Sequence, residues 1–212
     1  MILDISKTAR QICLKAPIIP VLVVENVDDA VPLAKALIAG GLPVLEVTLR
    51  TNAALDVIRA MASCDGAIVG AGTLLTPEDF HAAKEAGAQF GVSPGITDTL
   101  VEAAKATNLP LLPGASTASE VMALLEAGFD MLKFFPAEAN GGVSALKSLG
   151  SPLPKASFCP TGGVNPANAK DYLALSNVVC AGGSWMAPQA MIDNGEWDAI
   201  EKLARESVAL AG

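Results

Sequence analysis

Three residues in this chain have the types and settings to do chemistry: Lys133 in Met131-Leu-Lys-Phe-Phe135, and Glu46 and Arg50 in Val44-Leu-Glu-Val-Thr-Leu-Arg50. The short apolar run around Lys133 is bounded by Pro136 and later glycines. It reads as a buried strand, where desolvation disfavours the ammonium. An amine that sheds its charge is a nucleophile able to form an imine with a carbonyl compound. The plainer reading is a lysine that reaches out at the strand end or pairs with a carboxylate. In residues 44–50, Glu46, Thr48 and Arg50 share one strand parity, while Leu45, Val47 and Leu49 share the other. A carboxylate and a guanidinium aimed together into an interior are costly unless used or paired. The alternative to a catalytic role is therefore a Glu46–Arg50 ion pair that closes the top of a barrel.

By the same alternation Lys133 goes with Met131 and Phe135, and Leu132 and Phe134 face the other way. Thr73, Pro94 and Thr161 fall at the C-terminal ends of their own apolar runs. The implied pocket holds an amine, a carboxylate, a guanidinium, hydroxyls and the apolar walls Phe135 and Pro94, a mixture that suits a small keto acid better than a nucleotide. Two glycine pairs add a second signal, in Pro160-Thr-Gly-Gly-Val164 and Ala181-Gly-Gly-Ser-Trp185. Paired glycines let a backbone approach an anion closely, and the loops after the seventh and eighth strands are the usual phosphate site of (β/α)8 barrels. Glu138 and Asn140 read as loop structure. No G-x-G-x-x-G or Walker pattern is present, so a nicotinamide or ATP role has no support.

These residues need a scaffold, and the chain's periodicity supplies one. Residues 3–15 read as a preliminary N-terminal helix. Eight apolar runs follow, at 18–24, 43–49, 67–72, 89–94, 109–114, 130–135, 157–161 and 177–182. Amphipathic stretches between them predict helices at 28–39, 52–62, 77–86, 97–106, 117–127, 142–149 and 166–173, with a long last helix at 188–210. Ile38-Ala-Gly-Gly, Glu85-Ala-Gly-Ala and Glu126-Ala-Gly-Phe each place a glycine where a left-handed cap stops a helix. Strand–helix alternation predicts a parallel sheet, and eight units predict a closed (β/α)8 TIM barrel in one α/β domain spanning 1–212. An open doubly wound sheet is the second choice.

Composition narrows the partners. With 51% hydrophobic and 17% charged residues in 212, the chain has one substantial core to bury and a hint of subunit contacts. A formal net charge of -8 argues against nucleic acid or an anionic membrane, though not against a small anion held by backbone N–H groups. Cys13, Cys64, Cys159 and Cys180 are widely spaced and read as reduced thiols of a cytosolic protein. His81 is the single histidine, which disfavours a histidine metal site or a Ser-His-Asp triad. The first residues do not form a signal peptide, and no apolar run reaches membrane-spanning length.

Six segments together resemble the bacterial class I 2-keto-3-deoxy-6-phosphogluconate (KDPG) aldolases, which also act as 4-hydroxy-2-oxoglutarate aldolases. They are Glu46-Val-Thr-Leu-Arg50, Gly70-Ala-Gly-Thr73, Ser93-Pro-Gly95, Lys133-Phe-Phe-Pro-Ala-Glu138, Pro160-Thr-Gly-Gly163 and Gly182-Gly-Ser184. The resemblance implies Lys133 as the imine-forming lysine and Glu46 as general acid/base. It implies Arg50 and Thr73 as holders of the substrate carboxylate, and Pro94 and Phe135 as walls of the pyruvate pocket. Thr161 then lies near the aldehyde-derived portion, with Gly162, Gly163 and Ser184 as the phosphate cradle. It further implies a cytoplasmic homotrimer acting on small molecules, with no cofactor and no metal, since an iminium does the polarising that a class II enzyme assigns to a divalent ion. Two other readings share the glycine loops: a phosphate-binding isomerase or synthase that forms no imine, and a non-catalytic small-molecule-binding barrel.

Overall fold

The computed structural model describes residues 2–211. Helix α1 (Ile2–Cys13) comes first, as the periodicity predicts. Strands β1 (Ile18–Leu22), β2 (Val44–Thr48), β3 (Ile68–Gly72) and β4 (Phe90–Val92) follow, separated by α2 (Ala30–Ala39), α3 (Ala54–Ala62) and α4 (Pro77–Glu85). Then come α5 (Asp98–Thr107), β5 (Leu111–Leu112), β6 (Gly114–Ala115), α6 (Ala118–Glu126), β7 (Met131–Phe134) and α7 (Gly142–Gly150). The chain ends with β8 (Ser157–Pro160), α8 (Ala169–Leu173), β9 (Ala181–Gly183), α9 (Gln189–Asp193) and α10 (Trp197–Val208).

The closed eight-stranded barrel expected from the sequence is not what forms. The strands build two parallel sheets, one of six in the order β5-β4-β3-β2-β1-β9 and one of three in the order β6-β7-β8. Pro113 makes the first break. It splits the fifth apolar run into two short strands because proline has no N–H to give a ladder. Its carbonyl still accepts from the Lys133 N–H at 2.8 Å. At the other seam β8 meets the final segment through the isolated bridges Phe158↔Val178 and Thr161↔Gly182. The doubly wound order is not adopted either, since the larger sheet runs in chain sequence and its last strand lies beside its first.

Alternation along the strands comes out as read. Leu45, Val47, Leu132 and Phe134 join the large apolar cluster that also contains Leu33, Val57 and Phe80 of the helices. Ile19, Val44, Phe90, Leu112, Met131, Cys159 and Cys180 form a smaller second cluster, on the strand face that carries Lys133. Helix α1 adds Ile12 and Cys13 to that cluster, and its Arg10 donates to Ser157 and to the Asp130 carbonyl. The starts of β7 and β8 are thereby tied to one helix. All four cysteines are free thiols.

The three glycine stops are genuine caps. Gly41, Gly87 and Gly128 have φ of 93°, 93° and 91°. Each is followed by a residue whose N–H reaches back five positions, as Leu42 does to Leu37, Ala88 to Ala83 and Phe129 to Leu124. The long last helix predicted at 188–210 is instead two helices, α9 and α10, parted at Gly195 with φ 67°. Among the described residues no helix is long and apolar enough to cross a membrane.

Candidate active site

Lys133 lies on β7 with its backbone paired to Gly114 on one side and Cys159 on the other. That register and the strand parity send its side chain inward, where it is 5% exposed. Glu46, on β2, is 3% exposed. Their side chains meet, with Lys133 Nζ donating to Glu46 Oε1 at 3.1 Å. The expected alternative, a Glu46–Arg50 pair, is therefore replaced by a Glu46–Lys133 pair, and Arg50 stands exposed at the rim. Lys133 Nζ also sits 5.2 Å from the centroid of the Phe135 ring, where the π face favours a cation.

Room for the carboxylate comes from the neighbouring strand. Gly72 lies opposite Thr48 in the β2–β3 ladder, and a Cβ on it would fall 2.4 Å from Glu46 Oε1. Directly after it Thr73 has φ 65°, a left-handed backbone that costs a β-branched residue energy and is concentrated at functional sites.

The pair opens onto a cavity of about 400 Å³ at the C-terminal ends of the strands. All ten residues singled out in the sequence line it: Lys133, Glu46, Arg50, Thr73, Pro94, Phe135, Thr161, Gly162, Gly163 and Ser184. Glu46 and Lys133 lie within their strands and the other eight follow one, so side chains far apart in sequence converge there. Val21, Val23, Thr48 and Val164 also face the cavity and were not assigned to it. Parity places Thr48 there, since it lies between Glu46 and Arg50. Its hydroxyl donates to the Leu22 carbonyl at 2.9 Å and so ties β2 to β1. Valines carry no such signal, because an apolar wall residue looks like any core residue.

The loop after β8 has a specific backbone arrangement. Gly162 and Gly163 have φ of 97° and 83°, values open to glycine. Thr161 and Gly162 give their carbonyls to the N–H groups of Ala137 and Glu138, at 2.8 and 3.0 Å. The Gly163 carbonyl accepts from the side-chain amides of Asn165 and Asn168, at 3.1 and 3.2 Å. A trans peptide carries its N–H opposite its carbonyl. Carbonyls anchored in this way leave the N–H groups of Gly162, Gly163 and Val164 turned from those anchors, in a loop that lines the cavity. Such a row of N–H groups suits an anion.

Glu138 lies behind this loop. Its carboxylate accepts from the hydroxyl of the buried Tyr172. Burial, reinforced by that hydrogen bond and the nearby carboxylate charge, pushes the Tyr172 phenol well above its ordinary range. Among the described residues no group of three or more His, Cys, Asp or Glu is arranged to hold a metal ion. The arrangement can pass a proton between an amine and a carboxylate, present the neutral amine to a carbonyl carbon, and hold an anion some distance away.

Comparison with known proteins agrees with this chemistry. The family model described as "Aldolase: KDPG and KHG aldolase" matches residues 9–203. The chain is 53% identical to the KHG/KDPG aldolase of Escherichia coli strain K12 over 202 residues, covering 95% of each protein. It superposes with a TM-score of 0.93 on the 2-keto-3-deoxy-6-phosphogluconate aldolase of Zymomonas mobilis ZM4 with 3-phosphoglycerate, at 46% identity and 97% coverage of both chains. A TM-score of 0.90 relates it to the KDPG aldolase of Legionella pneumophila, with pyruvate captured at low pH as a covalent carbinolamine intermediate. That relative is 43% identical, with 93% of this chain and 96% of the other covered.

Proposed function

This chain belongs to the KDPG and KHG aldolase family, and on that premise we propose that it cleaves 2-keto-3-deoxy-6-phosphogluconate to pyruvate and glyceraldehyde 3-phosphate through an imine on Lys133. It is an aldolase, a carbon–carbon lyase. The same site takes 4-hydroxy-2-oxoglutarate to pyruvate and glyoxylate, the second activity in the family's description. The observation that carries this reading is the buried contact of Lys133 Nζ with Glu46 Oε1 at 3.1 Å, at the wall of a cavity.

Lys133 loses a proton to Glu46 and attacks the C2 ketone; Glu46 then returns that proton to the departing hydroxyl, so that water leaves, the iminium forms and the carboxylate is free again. Its nitrogen is the electron sink for the next step. Glu46, directly or through water, takes the C4 hydroxyl proton while the C3–C4 bond breaks. The aldehyde leaves, and the electron pair of the broken bond forms an enamine on Lys133. Protonation at C3 and hydrolysis release pyruvate and restore the amine. Without the iminium the same cleavage leaves an unstabilised carbanion.

Arg50 and Thr73 hold the substrate carboxylate, and Pro94 and Phe135 enclose the pyruvyl methyl end. Thr161 faces the aldehyde-derived portion, and Gly162, Gly163 and Ser184 receive the phosphate. The enzyme works as a cytoplasmic homotrimer. The apolar composition supports contacts between subunits, as do Leu75 and Met122, exposed at 58% and 52%. Borohydride reduction in the presence of pyruvate, followed by mass mapping, tests the central claim. An adduct on Lys133 is expected, and its absence would favour an isomerase, a synthase or a binding protein.

A further inference from the structure

Glu138 has no part in the reaction as derived above, yet it makes two contacts with the loop that takes the phosphate. Its backbone N–H holds the Gly162 carbonyl at 3.0 Å, which turns the following peptide N–H, that of Gly163, the opposite way. Its side chain lies along the bare Cα of Gly163, so close that a Cβ there would fall 2.5 Å from Glu138 Cγ. It also backs Gly142, where an added Cβ would meet Glu138 Oε1 at 3.0 Å and the Tyr172 hydroxyl at 3.3 Å. The far end of the side chain is pinned by the Tyr172 hydroxyl. Tyr172 belongs to α8 and is fully buried, so the pin is rigid, whereas Glu138 itself is exposed. A carboxylate beside an anion site would repel its ligand if it were free to turn toward it, and the tyrosine prevents that turn.

We propose that Glu138, held by Tyr172, is a positioning residue that orients the Gly162–Gly163 peptide toward the phosphate of the substrate and so sets the preference for phosphorylated keto acids. The inference rests on the functional reading given above. The pair touches neither Lys133 nor the keto-acid end of the site, so its loss acts on the phosphorylated part of the substrate alone.

The test compares two quantities in the full-length enzyme: KM for 2-keto-3-deoxy-6-phosphogluconate, and the pyruvate concentration that half-saturates borohydride trapping on Lys133. Glu138→Ala removes an exposed side chain and spares the core. The main-chain N–H on the Gly162 carbonyl stays, but the side chain that backs Gly163 and its hydrogen bond to Tyr172 are lost, which is expected to raise KM about three- to tenfold with half-saturation by pyruvate within about twofold of the parent. Tyr172→Phe keeps the buried ring and is expected to give the same split. Glu138→Gln retains an acceptor for the tyrosine and the length that covers Gly163, and is expected to restore most of the affinity. Equal changes in both quantities, no change in either, or loss of both would overturn the proposal. Failure of the parent enzyme to form the pyruvate adduct would instead overturn the functional reading, independently of any variant.

Discussion

Glu46 Oε1 receives the Nζ of Lys133 at 3.1 Å although the two residues stand 87 positions apart. The contact sits where two sheets with separate ladders face each other, Glu46 on β2 of the larger and Lys133 on β7 of the smaller. Neither sheet alone contains both residues.

Substituting each partner separates their roles. Lys133→Ala is expected to abolish both turnover and the borohydride adduct. Glu46→Gln is expected to lower kcat by about 10²–10⁴-fold, the usual contribution of a general acid/base, and still to trap some pyruvate. Full turnover by Glu46→Gln would remove the carboxylate from the mechanism.

Gly72 offers a less direct probe of the same contact. A Cβ at this position would lie 2.4 Å from Glu46 Oε1 and 3.0 Å from its Cδ, so Gly72→Ala must push the carboxylate off Lys133. A displacement near 1 Å is expected to cost about 10²-fold in kcat, with about 1–3 kcal/mol of stability lost to overpacking. Steady-state rates and thermal unfolding of the same preparation check both. An unaltered kcat would mean that the carboxylate's position is not critical.

Arg50 stands exposed at the rim, so the role proposed for it is that of a charge-assisted hydrogen bond in partial contact with water. Arg50→Ala is expected to weaken pyruvate binding by about 1.5 kcal/mol, roughly tenfold in half-saturation. Borohydride trapping against pyruvate concentration measures this directly, and unchanged half-saturation would exclude Arg50 from the site.

Helix α6, which precedes the lysine strand, starts on a capping box. Glu120 accepts from the N–H groups of Ser116 and Thr117 at 2.8 and 2.9 Å, and Thr117 Oγ1 accepts from the Glu120 N–H at 3.3 Å. The Ser116 hydrogen bond does most to hold the Glu120 carboxyl below its ordinary range, against partial desolvation. A depressed folded-state pKa gives stability that is present above the unfolded value and lost as pH falls through the folded one. Glu120→Ala is expected to cost about 1 kcal/mol near neutrality, as lost caps do, and progressively less in acid. Urea unfolding at the two pH values measures the difference, and a gap constant with pH would show that the ionised carboxylate is not what caps the helix.

Much of the site could be read from the chain because its chemistry is unusual for its surroundings. A lysine inside Met-Leu-Lys-Phe-Phe, and a glutamate inside Val-Leu-Glu-Val-Thr, are costly to bury without a use, and that cost is visible in one dimension. The caps at Gly41, Gly87 and Gly128 were legible for a similar reason, since glycine readily adopts the backbone that stops a helix there. The break at Gly195 carries a local mark as well, the turn dipeptide Asn194-Gly195, which the reading of one helix over 188–210 does not use.

Local sequence thus determined which residues face inward, which loops can approach an anion, and which short segments become strands and helices, since each of these is a property of near neighbours. Only the tertiary structure decided that Pro113 splits the strand array into two sheets, that Lys133 pairs with Glu46 rather than leaving Glu46 to Arg50, and that Glu138 and Tyr172 meet behind the glycine loop. Those outcomes depend on distances between residues tens of positions apart, and periodicity along a chain carries no record of such distances.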